Sequence, residues 1–432
     1  MAILLMLEGH FISLALDPDF AKINMPVYYV WKSIRSHTAP LFFTISGLVF
    51  TFLLLRDNAS PYFRHERVRK GVIRSAKLFF WGYILHLDLR WLLKGYFSNY
   101  FFSFHVLQCL GAVLLSIVIL YGLYRLFRVI PILVWFGIAA FFSFILPSTM
   151  AAMSPDGIWP FFCDLLGISA EGSRFQSAFP LFPWLGYALF GGMLGASLRL
   201  YPKLAENRAL PMYLLGIAVL FHILPLFLIW GAEAILVPLG FERFLQEAYE
   251  FARFGRILGV ISVIMLILQY RSEIYRFANQ HLQLFFSNWF LLAGIGLAVL
   301  MIVSPSLGYT IQIMQGLMLS GLGHILLFVL LALVAARFVP WNFSLFLKIG
   351  QYTLPVYVVH VIVLYSGLFG IGLDSIVRKS MDPWSAVLAA TAFILAFVYL
   401  VKYIEYFQLS TIIRKIGSLR KPVDNSNDPP AS

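Results

Sequence analysis

A chain of 432 residues that is 60% hydrophobic, 17% aromatic and only 12% charged departs from soluble globular proteins, in which charged residues make up about a quarter. This composition belongs in a lipid bilayer, and it excludes a soluble catalytic domain because no polar stretch reaches the roughly 100 residues such a domain needs. The formal net charge of +12 does not indicate nucleic acid, since the cations sit in alternate connections rather than on one soluble face.

Apolar runs bounded by Pro, Gly and charge fall at about 1–17, 38–55, 76–95, 103–124, 129–149, 178–198, 209–231, 256–270, 284–304, 314–336, 350–371 and 384–404, each near the roughly 20 residues that a spanning helix requires. They are long and unbroken, unlike the alternating strands of about 10 residues in a membrane barrel. The expected fold is therefore all-α, a polytopic transmembrane helix bundle of about 10 to 12 spans. It forms a single domain over 1–416, with a disordered cytoplasmic tail over 417–432, where Pro, Ser, Asn and Asp accumulate. The segment 1–16 lacks a basic leader and a small-residue cleavage site, so it is expected to remain as the first helix.

The connection after the second run carries Arg56, Arg64, Arg67, Arg69, Lys70, Arg74 and Lys77, the strongest cytoplasmic marker in the chain. Arg125 with Arg128, and Arg199 with Lys203 and Arg208, fall on the same side by alternation. Asp17 and Asp19, then Asp156, Asp164 and Glu171, then Glu242, Glu247 and Glu250 fall on the other. Both termini are expected to be cytoplasmic. The stretch 232–255 has Phe and Leu at helical spacing and reads as an amphipathic helix on the outer surface. The sequence GGMLG at 191–195 reads as a close helix crossing.

Ionisable groups within a bilayer are costly and mark cavities or partners. Glu8 and His10 lie in the first helix, Arg35 and His37 open the second, and His86, Asp88 and Arg90 occupy the outer half of the third. His105 and Gln108 open the fourth, and His360 falls near mid-depth of a later one. With the derived sidedness, most of them belong between mid-membrane and the outer face. His105 and Gln108 share a helix face, but Glu8 and His10, two apart, do not. A lone transmembrane histidine such as His222 or His324 reads more simply as an interhelical hydrogen bond. Cys109 and Cys163 have neither disulfide nor metal spacing, and no metal site is expected.

The segments MLEGHFI at 6–12, RSHTAPLFFTISG at 35–47, FHVLQCLGAVLL at 104–115, FPLFPWLGYALFGGMLG at 179–195 and IGQYTLPVYVVHVIVLY at 349–365 together resemble the heparan-alpha-glucosaminide N-acetyltransferase-like family of transmembrane acyltransferases, which is related to bacterial integral-membrane acyltransferases. The resemblance implies transfer of an acetyl or other acyl group from cytoplasmic acyl-CoA to a sugar hydroxyl or amine across the membrane. It implies His10, Arg35, His105 and Gln108 as catalytic residues, with Tyr357 and His360 matching a late Tyr-x-x-His element. Family members commonly carry a basic residue and an Asp-Arg-Gly element before the first-helix motif, which suggests a natural start upstream of Met1.

On this reading acetyl-CoA or another acyl-CoA is the donor. Arg64, Arg67, Arg69 and Lys70 hold its phosphates, and Glu8, His37, His86, Asp88 and His360 contact the acceptor. Expected partners are the lipid bilayer, the acyl-CoA and a carbohydrate acceptor, with room for a homodimer and no nucleic acid. The expected location is a bacterial cytoplasmic membrane. The rival reading is a transporter of a sugar, lipid or organic anion that uses the intramembrane His and Asp residues, disfavoured by the lack of duplicated halves.

Overall fold

The structure is a computed structural model that describes residues 2–22, 26–57, 60–87, 89–96, 99–150, 159–167, 177–236, 242–270, 272–273, 276, 344–365 and 372–403. The expected runs at 284–304 and 314–336, His324, the tail at 417–432 and Asp88 lie outside the described residues. Among those residues the regular structure is helical, apart from an isolated bridge between Leu16 and Met381. The longer helices are α1 (Ala2–Ala15), α2 (Pro26–Ser36), α3 (Thr38–Leu54), α4 (Glu66–His86), α5 (Val106–Leu126), α6 (Ile132–Met150), α7 (Leu181–Leu200), α8 (Leu210–Leu236), α9 (Glu242–Gln269), α10 (Ser344–Gln351), α11 (Thr353–Tyr365) and α12 (Pro383–Tyr403). Among the described residues five stretches are long and apolar enough to cross a membrane: Ile34–Leu54, Val106–Leu126, Leu181–Leu200, Tyr249–Gln269 and Pro383–Tyr403.

Several helix starts are set by local chemistry. The ring Nδ1 of His65 accepts from the backbone N–H groups of Arg67 and Val68 at 3.2 and 3.4 Å, capping α4. Glu66 in its first turn meets Lys70 one turn on at 2.5 Å. The Asp382 carboxylate accepts from the N–H groups of Trp384 and Ser385 at the start of α12, where Pro383 supplies the preset φ. Once started, the helices continue through Leu, Ile, Val and Phe, whose backbone groups have no alternative partner in lipid.

Packing relies on close backbone approach. A Cβ on Gly47 would lie 1.8 Å from the Ala188 carbonyl oxygen, and one on Gly191 would lie 1.9 Å from that of Thr44. Helices α3 and α7 therefore cross in direct backbone contact, as the GGMLG segment implied. One core cluster gathers α3 through α9 with Phe43, Tyr121, Phe136, Phe144 and Tyr187 fully buried. A second packs α1 against α10, α11 and α12, with the Phe11 and Phe393 rings 5.2 Å apart. Helix α1 belongs to this second cluster.

The basic and acidic joints lie at opposite ends of α4 and α5. At one end Arg125 donates to the Ser60 carbonyl and Arg199 to the Arg56 carbonyl, so the basic joints adjoin each other. At the opposite end Phe104 N–H donates to Ser177, whose hydroxyl donates to Asp164. Two features depart from the sequence expectation. Helix α2 precedes α3 as an extra segment, because its mixed sequence PVYYVWKSIRS forms a helix without an apolar run. The stretch expected as a separate surface helix joins the following span, since no Pro or Gly breaks the chain between Glu242 and Arg253 and the single helix α9 runs on to Gln269.

Candidate active site

A cavity of about 830 Å³ opens where the two clusters meet, within the usual range for ligand sites. Its walls come from seven helices. His10 is supplied by α1, Lys32 and Arg35 by α2, Phe42 by α3, His86 by α4, Gln108 by α5 and Tyr357 with Tyr365 by α11. His105 stands at the N-cap position of α5 without a side-chain capping bond, and Arg253 enters from α9. Residues separated by more than 300 positions therefore share one chamber, toward the end opposite the basic joints.

His10 Nδ1 lies 3.1 Å from the Tyr365 hydroxyl, and its ring centroid is 5.3 Å from that of His360. With Nδ1–H donating to the phenolic oxygen, Nε2 retains its lone pair. His360 sits behind this pair, fully buried, with Nδ1 donating to the Val356 carbonyl at 3.3 Å and its ring 4.8 Å from Tyr357. On the facing wall, Gln108 Nε2 donates to His86 Nδ1 at 3.2 Å, and the His86 and His105 rings meet edge to face at 4.0 Å. The Gln108 Oε1 is buried without a hydrogen-bond partner among the described residues. Gly82 makes room for it: a Cβ there would fall 2.6 Å from Gln108 Cδ.

Arg35 lies along α1, its Nε 2.9 Å from the position of a Cβ on Gly9, and its guanidinium is 5.4 Å from the Trp31 ring. Glu8 points elsewhere and accepts from the Trp31 indole at 2.6 Å, as the two-residue spacing from His10 dictates. His37 is also turned away from the chamber: it is buried and accepts from Arg256 Nε at 3.2 Å.

A second cavity of about 480 Å³ runs along α3 and α4 toward the basic end. Arg67, Lys70 and Arg74 line it at one extreme, Val49, Phe50, Leu110, Leu114 and Val263 in the middle, and Ile3, Leu5 and Phe42 at the other. Ile3, Leu5 and Phe42 line the large chamber too. Arg74 and His86 are separated along α4 by about 18 Å at the helical rise of roughly 1.5 Å per residue.

Of the residues singled out in the sequence, His10, Arg35, His86, His105 and Gln108 line the chamber and Arg67 and Lys70 line the second cavity. Glu8, His37, His360, Arg64 and Arg69 line neither. Lys32, Tyr365 and Arg253 escaped the sequence reading. The cation Arg253 in the apolar α9, three residues after Glu250, was the available signal. Among the described residues no group of three His, Cys, Asp or Glu could hold a metal ion.

Residues 1–230 match the family model described as heparan-alpha-glucosaminide N-acetyltransferase, catalytic. The chain belongs to this family. It is accordingly an integral membrane protein of an acetyltransferase family. No curated protein and no solved structure matches the chain. The acetyltransferase match takes in α1 to α7 and much of α8, and so His10, Arg35, His86, His105 and Gln108; Arg253, Tyr357, His360 and Tyr365 come from the part beyond it.

Proposed function

We propose that this family member moves an acetyl or other acyl group from cytoplasmic acyl-CoA to a hydroxyl or amine of a sugar on the opposite side of the membrane. The observation that carries the reading is the shared wall of Ile3, Leu5 and Phe42, which joins a basic rim at Arg67, Lys70 and Arg74 to the chamber holding His10. A CoA thioester has a matching layout: anionic phosphates, a thin arm and a reactive terminus. The cations hold the phosphates by charge-assisted hydrogen bonds. The arm lies along the apolar middle, and the thioester reaches the junction beside His10.

His10 Nε2 then takes the proton from the acceptor hydroxyl or amine as its oxygen or nitrogen attacks the thioester carbon. The tetrahedral oxyanion forms within reach of the Arg35 guanidinium, which supplies N–H donors. Collapse breaks the C–S bond, and the proton on His10 passes to the departing CoA sulfur. Gln108 gives one of its two amide N–H groups to His86 and so holds that ring on the facing wall, with its own Oε1 buried against Gly82.

The test is purified protein in detergent with acetyl-labelled acetyl-CoA and a glucosaminide acceptor. Label appearing on the sugar, and lost in His10→Ala, supports the reading. An intact thioester with the sugar unmodified, as a carrier would leave it, overturns it.

A further inference from the structure

The chamber is one-sided in charge. Lys32, Arg35 and Arg253 line it, and none of its described lining residues is acidic. Two carboxylates, Glu8 and Glu250, stand beside these cations but lie outside the lining. Glu8 accepts from Trp31, and Glu250 accepts from the Tyr187 hydroxyl and pairs with Arg253 at 3.5 Å through Nη1, which leaves Lys32 and Arg35 without a carboxylate in the lining.

Arg253 is also held rigidly. Its Nη2 donates to the Ser36 carbonyl at 2.7 Å, at the last turn of α2, and its guanidinium is 5.8 Å from the Trp184 ring. This bond ties α9 to the helix that bears Lys32 and Arg35, so the three cations converge on one wall. A guanidinium with five N–H donors keeps spare donors after these contacts.

A neutral sugar gains little from three fixed cations, and a protonated amino sugar would be repelled by them. The donor's phosphates have their own cations at Arg67, Lys70 and Arg74, about 18 to 29 Å along α4 from the His86 end. We propose, resting on the acyl-transfer reading, that Lys32, Arg35 and Arg253 form an anion subsite that selects an acceptor carrying a phosphate or carboxylate close to the group acylated by way of His10. The subsite neutralises the acceptor's charge and turns its hydroxyl or amine toward His10.

The experiment compares glucosamine 6-phosphate with glucosamine, using detergent-solubilised full chain and labelled acetyl-CoA. The expected kcat/KM ratio favours the phosphorylated sugar by roughly tenfold or more, the range of a charge-assisted hydrogen bond. Both Lys32→Gln and Arg253→Gln should move that ratio toward one. Lys32 is exposed, so its variant stays informative if Arg253→Gln fails to fold. A ratio near one in the unsubstituted protein, or a ratio that neither variant changes, overturns the subsite. So does a rise confined to KM for acetyl-CoA, which would assign these cations to the donor. Acetylation of neither sugar, with acetyl-CoA left intact, would instead sink the acyl-transfer reading and this inference with it.

Discussion

His10 on α1 and Tyr365 at the end of α11 meet at 3.1 Å across 355 positions of sequence. With Nδ1–H donating to the phenolic oxygen, Nε2 is the nitrogen left as the base. His10→Ala should lower transfer by roughly 10²- to 10⁴-fold, the usual contribution of a general base, while the protein elutes as an unaltered monodisperse species. Tyr365→Phe removes only the partner of Nδ1 and should cost roughly tenfold in kcat, with KM for acetyl-CoA unchanged. Rates measured at saturating donor check both, and full activity in His10→Ala would remove the central residue.

That contact also marks the boundary of what local sequence can reveal. Polar residues in or beside the apolar runs singled out His10, Arg35, His86, His105 and Gln108, which line one chamber, and also Glu8, His37 and His360, which do not. The small-residue pattern at Gly191 and Gly195 correctly implied a close helix crossing. Helix α2 was invisible to that procedure because PVYYVWKSIRS contains too few consecutive apolar residues to register as a run, although its cations frame the site. Arg253 was hidden for a related reason: the acidic start of α9 reads as a surface segment, yet the same helix continues to Gln269 and carries Arg253 to the cavity. Spacing along one helix identifies a face, but which distant helix meets that face is a tertiary fact.

Gln108 is the most constrained side chain of the facing wall. Its amide nitrogen serves His86 and its oxygen lies within 2.7 Å of where a Cβ on Gly82 would stand. Gly82→Ala should therefore displace the amide and break its bond to His86, costing about 1–3 kcal/mol of stability through overpacking and lowering kcat. Gln108→Leu keeps the volume but removes both polar ends, and should raise KM for the sugar. Thermal unfolding in detergent together with acceptor titrations separates the two effects. A fully stable, fully active Gly82→Ala would show that the amide does not need its present position.

Arg67, Lys70 and Arg74 line the far extreme of the second cavity. Replacing Arg67 and Arg74 together with Gln should raise KM for acetyl-CoA by roughly tenfold, leaving KM for the sugar in place. Exposed charges are screened over about 8 Å at physiological ionic strength, so raising the salt should weaken donor binding in the unsubstituted protein more than in the double variant. Equal salt dependence in the two proteins would mean that the donor's phosphates are held elsewhere.

The crossing of α3 and α7 supports Phe42 from behind, since Phe43 beside it stacks near Phe179 and Trp184 at 6.4 and 5.3 Å. Gly191 has no room for any side chain, as a Cβ would stand 1.9 Å from the Thr44 carbonyl oxygen. Gly191→Ala must push α3 and α7 apart, because the obstructing atom is backbone and cannot rotate away. The expected cost is at least about 1–3 kcal/mol, read as a lower midpoint of thermal unfolding in detergent. Gly216→Ala on α8, where nothing lies within 4 Å of the added carbon, should leave that midpoint unchanged or raise it slightly through helix propensity. Should the two variants unfold at the same temperature, direct backbone contact between α3 and α7 would not be what holds the wall of the chamber.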